Sequence, residues 1–215
     1  FKTIPESDTI QSVIEMLYPS LFSSKTEAKY FLTILGDNIL KKDTGIVHFI
    51  TIKSKYFLKS LTQISHMLTG GDMCNSIKHK YHNHSYQDCR LIKINDCINN
   101  ENIVNSVISN NILNLICVSI HYSKRFESSD KYLLNQSNDD VLTQYAFFIK
   151  NTTSEELIQQ FIDQYIDFDE NLLKTNVVLM DDHLTNRSKQ ITWKNMLFLW
   201  KKFIDTKQIP FIVTS

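Results

Sequence analysis

The chain has 215 residues, with 23 basic and 23 acidic side chains and a formal net charge of zero. That length permits one large domain or two small ones with a real core, and the charge balance excludes a global field drawing in nucleic acid or an anionic membrane. No apolar run approaches the roughly 20 residues of a membrane span, and the 4 glycines form no Gly-rich phosphate loop.

Ile (26), Lys (20) and Asn (18) make up almost a third of the residues, against 2 Ala and 3 Arg. This skew toward residues with A/T-rich codons reflects the genome, so Lys and Asn are not overread. The 4 cysteines form no CxxC pair, which predicts reduced thiols and a cytoplasmic setting. The chain starts at Phe1, and we expect it to be part of a longer polypeptide.

In chain order, 7–22 predicts a helix with Ile10, Val13, Ile14 and Leu17 on one face, stopped by Pro19. Ser24-Lys-Thr-Glu27 has the form of a capping box, and the helix after it carries Ala28, Phe31, Leu32, Leu35 and Ile39 at helical spacing. Asp43-Thr-Gly45 predicts a turn and 46–52 a short strand. A further helix runs from Phe57 to Leu68 and stops at Gly70-Gly71. Ile77–Tyr81 and Arg90–Ile94 predict two strands of a β-hairpin. Helices resume near Glu101. The most apolar stretch, Ile112–His121, predicts a central buried helix. Shorter helices follow from Ser128 and Asp139, a second capping box opens at Thr153, and Val177–Met180 reads as extended. Thr192 caps the last helix, Trp193–Asp205.

The expected fold is therefore mostly α, a helical bundle or short α-solenoid with a small β-hairpin insertion around residues 76–95. We expect a single domain over 1–215, with 98–101 as the place for any subdivision.

The stretch 74–97 stands apart, with three of the 7 histidines and three of the 4 cysteines. On a hairpin, Lys78, Lys80, Arg90 and Lys93 would contact phosphates of RNA or DNA, with Tyr81 or Tyr86 stacking on bases. The plain alternative is a solvated strand face. His82, His84, Cys89 and Cys97 have the ligand types of a tetrahedral zinc site, with His79 or Cys74 as substitutes. Their H-x-H-x4-C-x7-C spacing matches no common zinc finger, and no cofactor is otherwise expected. Asp181-Asp182-His183 has general-base chemistry, although adjacent carboxylates more often cap or solvate. Glu155-Glu156 reads as helix capping, and no nucleophile–base set argues for an enzyme. On the last helix, Trp193 and Trp200 suit a core or a protein-partner interface, while Lys194, Lys201 and Lys202 would extend a basic patch.

Two segments carry a resemblance. His121-Tyr-Ser-Lys-Arg-Phe-Glu-Ser-Ser-Asp-Lys-Tyr-Leu133 and Thr192-Trp-Lys-Asn-Met-Leu-Phe-Leu-Trp-Lys-Lys-Phe-Ile204 resemble parts of large, mostly uncharacterised proteins of giant nucleocytoplasmic DNA viruses. The resemblance implies a setting in viral replication, transcription or translation in the host cytoplasm, and no residue roles. The expected function is a non-enzymatic binding or scaffold module.

Overall fold

The computed structural model describes residues 7–51, 55–79, 85–166 and 191–210. The fold is mostly α, as expected, and forms two compact units, Phe1–Asn151 and Thr152–Ser215. The division falls between residues 151 and 152. The 98–101 stretch instead lies inside the first unit, where a 3-10 turn, Asp96–Asn99, leads into a helix that packs back on it.

The first unit contains α1 (Asp8–Leu17), α2 (Lys25–Ile39), β1 (His48–Ile50), α3 (Lys55–Thr69), β2 (Ile77–His79), β3 (Arg90–Ile92), α4 (Glu101–Ser109), α5 (Ile112–Phe126), α6 (Ser129–Asn135), α7 (Asp140–Ala146) and α8 (Phe148–Asn151). Helix starts follow the caps read from the sequence. Ser24 Oγ accepts the Glu27 N–H at 3.1 Å, while the Glu27 carboxylate takes the Ser23 N–H at 2.8 Å. Ser128 and Asp139 cap α6 and α7 in the same way.

The central helix is α2, not the more apolar α5. Every residue from Tyr30 to Asp37 is buried, whereas α5 buries Leu115, Ile116, Val118, Ser119, Tyr122 and Ser123 and exposes Leu113, Cys117 and His121. Both serines of α5, Ser119 and Ser123, are turned inward. A Cβ on Gly36 would lie 2.0 Å from the Ser119 carbonyl oxygen, so the α2 and α5 backbones pack at a distance only glycine permits.

The expected β-hairpin is replaced by a parallel sheet of order β2-β1-β3. β2 and β3 do not pair with each other. Each takes one edge of β1, with His48 opposite Ile77 on one side and Arg90 on the other. The physical reason lies in β1. His48, Phe49 and Ile50 are all buried, as suits a central parallel strand covered on both faces. The Ile46–Ile50 run is nearly continuous in apolar residues, and α3 supplies the crossover that parallel strands require.

The second unit contains α9 (Ser154–Tyr165) and α10 (Trp193–Lys207). α9 starts with a complete capping box. Glu156 N–H donates to Thr153 Oγ1 at 3.2 Å, and Thr153 N–H donates to Glu156 Oε2 at 2.8 Å. Leu157, Phe161, Phe203 and Ile204 are buried. Phe161 meets Trp200 edge-to-face at 5.1 Å and Phe203 at 5.7 Å, and Trp200 stacks on Phe203 at 5.6 Å.

Candidate nucleic-acid interface

The 74–97 segment forms no exposed basic platform among the described residues. Lys80, Tyr81, His82 and His84 lie outside them, as do Val177–Met180 and Asp181, Asp182 and His183. Arg90, the strongest phosphate candidate, is 5% exposed. Its Nε donates to Asp130 Oδ1 at 3.0 Å, its Nη2 to Asp130 Oδ2 at 2.7 Å and its Nη1 to the Asp88 carbonyl. Its guanidinium also lies 4.8 Å from the Phe147 ring centroid. A fork so paired and so deeply buried holds β3 to α6 and is closed to a phosphate from solvent.

Tyr86 is held as well. Its hydroxyl donates to the His79 carbonyl at 3.0 Å, and its ring meets Phe49 edge-to-face at 5.4 Å. Lys78 is half-buried on β2 between the buried Ile77 and His79, and Lys93 is exposed just beyond β3. Among the described residues of that set, Lys93 is the exposed cation.

Among the zinc candidates, the three cysteines differ in chemistry. Cys89 is fully buried, and burial pushes its thiol up to about 12, away from the thiolate that zinc binds. Burial likewise raises the Cys74 thiol. Cys97 is half-buried, and its thiol donates to the Ser20 carbonyl at 2.7 Å. Among the described residues no group of three or more His, Cys, Asp and Glu side chains is arranged to hold a metal ion.

A polar cluster missed in the sequence lies between α2, β1, α5 and α6. Asp37 accepts the Ser123 hydroxyl and, at 3.0 Å, the Ser129 N–H, and Lys42 Nζ lies 3.4 Å from it. His48 sits 3.3 Å from Ser76 Oγ and 3.4 Å from Ser129 Oγ. The composition is that of a hydrolase triad, but the wiring is not. Asp37 orients serines rather than the imidazole, and Asp37, His48, Ser123 and Ser129 are at most 5% exposed, so no substrate reaches them. Burial pushes the His48 pKa down to about 3, which keeps it neutral. The only cue in the sequence was an aspartate at a core-facing position of α2.

A cleft of about 440 Å³ lies beside this cluster, lined among others by Asn38, Lys42, Asp43, Asp72 and Ser76. Several of its polar groups are held by hydrogen bonds. Lys42 Nζ donates to the Ser123 and Glu127 carbonyls, Asp72 Oδ1 accepts the Cys74 N–H, and the Asn38 amide bridges to Ser76. These bonds fasten the end of α2 to two turns.

Among the described residues, the most open aromatic and basic surface is on α10. Thr192 caps the helix by accepting the Asn195 N–H at 3.3 Å. At 100° per residue, Phe203 and Trp200 face α9 while Lys194, Phe198, Lys201, Lys202 and Asp205 share the opposite side. Phe198 is 66% exposed there, and Trp193 is 76% exposed at the helix start. Phe198, Lys201, Lys202 and Asp205 line one shallow depression. The helix carries four lysines against one aspartate.

Among the described residues no helix is long and apolar enough to cross a membrane. The chain matches no family model, no curated protein and no solved structure.

Proposed function

We propose that the chain is a non-enzymatic binding module that takes a single strand of RNA or DNA on the outer face of α10. The observation that carries this reading is Phe198, two-thirds exposed in the middle of a lysine-lined helix face. An apolar ring left in water offers a base a stacking surface, and Lys194, Lys201 and Lys202 surround it with phosphate-binding charge. Trp193 adds a second open ring at the start of the helix, off this face. The nucleic-acid role expected of residues 74–97 thus moves to α10, because Arg90 is buried and paired with Asp130. The viral resemblance of the 192–204 segment suits a place in an information-processing assembly.

The test is fluorescence anisotropy with a labelled oligo(U) or oligo(dT) strand at low salt. Lys201→Glu with Lys202→Glu should weaken binding at least tenfold. Phe198→Ala should weaken it roughly 5- to 100-fold, the range expected for one stacked base. Lys93→Glu should change it little. Undiminished binding by the double charge reversal, or no binding by the parent chain, defeats the proposal.

The second reading is a protein partner docked on the same helix, favoured by the exposure of Trp193. Its sign would be a partner captured equally by the parent and the Lys201/Lys202 reversal, but lost in Trp193→Ala.

A further inference from the structure

We propose that Asp205 makes the outer face of α10 select RNA over DNA, by accepting the 2′-hydroxyl of the nucleotide whose base stacks on Phe198. The inference rests on the reading of α10 as a platform for a single strand and adds the sugar to it. Phe198 and Asp205 are seven residues apart, so they lie within about 20° of one line along the helix, two turns from each other. Lys201 and Lys202 stand in the turn between them. These four residues and Thr206 line one depression of about 500 Å³, a volume within the ordinary range of small-ligand sites. All five are exposed.

A track built for phosphates alone is weakened by a carboxylate at its centre, because like charges repel. An acid there matches the ligand only where it meets a hydrogen-bond donor. Thr206 agrees. Its Oγ1 donates to the Lys202 carbonyl at 2.8 Å, so its hydroxyl offers a ligand lone pairs and no proton. The depression thus presents one ring, two ammonium groups and two acceptors. A ribonucleotide carries the matching set: a base, phosphates on either side of the sugar, and a 2′-hydroxyl between them. Deoxyribose lacks the last of these. The helix also aims the groups together. Its side chains lean toward the N-terminus, so the Asp205 carboxylate leans back toward the turn of Lys201 and Lys202, where the sugar of a base on Phe198 comes to lie. A carboxylate has about four lone-pair sites, so an ion pair within the helix still leaves it able to accept a further hydrogen bond.

The experiment measures the anisotropy of labelled oligo(U), oligo(dU) and oligo(2′-O-methyl-U) strands of one length against the full chain at low salt. All three carry the same base, and the last keeps the ribose oxygen without its proton. Oligo(U) should bind about tenfold tighter than either of the others, the low end for one hydrogen bond to a charged group. Asp205→Ala should bring the three affinities together. Asp205→Asn, which keeps an acceptor oxygen, should retain part of the preference. The ratio is the readout, because removing an aspartate that only pairs with a neighbouring lysine would shift all three affinities alike. Equal binding of oligo(U) and oligo(dU) by the parent overturns the inference and leaves the stacking platform standing. A 2′-O-methyl strand that binds like oligo(U), or a preference that survives Asp205→Ala, overturns it in the same way. If no strand binds, the reading of α10 falls and this inference falls with it.

Discussion

Arg90 and Asp130 meet fork to fork, with two parallel hydrogen bonds of 3.0 and 2.7 Å joining the start of β3 to the first turn of α6. The side chains are 6% and 19% exposed, so the pair is largely withdrawn from water. Removing one partner strands the other's charge. Arg90→Ala or Asp130→Ala should each destabilise the chain by about 3 kcal/mol, measured by urea unfolding. Near-additive losses in the double variant would contradict this, because a coupled pair is lost only once.

Gly36 makes the second prediction. Alanine is ordinarily about 1 kcal/mol better than glycine inside a helix. Here its Cβ would overlap the Ser119 carbonyl, and backbone cannot swing aside as a side chain can. Gly36→Ala should therefore cost roughly 1–3 kcal/mol net. A thermal midpoint at or above that of the parent would show that α2 and α5 are not in such close contact.

His48 makes stability depend on pH. Its folded pKa is pushed down to about 3 by burial, from an ordinary value of 6.5. Between those values the unfolded chain binds the proton and the folded chain does not. Stability is thus full above about pH 6.5 and falls as the pH drops toward 3. The slope from this group approaches about 1.4 kcal/mol per pH unit within that window. His48→Gln should reduce the parent's pH slope by nearly one proton between pH 4 and 6. An unaltered slope would mean that the imidazole is solvated in the folded state.

The two tryptophans should separate. Trp200 packs on Phe161 and Phe203, so Trp200→Ala should loosen the second unit by roughly 2–3 kcal/mol. Trp193 is 76% exposed, and Trp193→Ala should stay within about 0.5 kcal/mol of the parent. Fluorescence can check the placement, since acrylamide should quench the Trp193 emission far more than that of Trp200.

Local chemistry was legible in the residues. The caps at Ser24, Thr153 and Thr192, the amphipathic spacing of α1, α2 and α9, and the mostly α class depend on neighbours within a turn or two, and the sequence states those directly. Pairing was not legible in the same way. Ile77–His79 and Arg90–Ile92 have strand character, but their separation in the chain does not reveal that β1 comes between them. The apolar run at 46–50, interrupted only by His48, was the available cue. Charge was the least legible property. Arg90 and Lys201 carry the same charge, yet one is bound to Asp130 from β3 and the other projects from the outer face of α10. A basic side chain becomes a binding group only if no carboxylate from another element has already neutralised it. Contacts 40 residues apart decide that, as between Arg90 and Asp130, and periodicity within one segment carries no information about them.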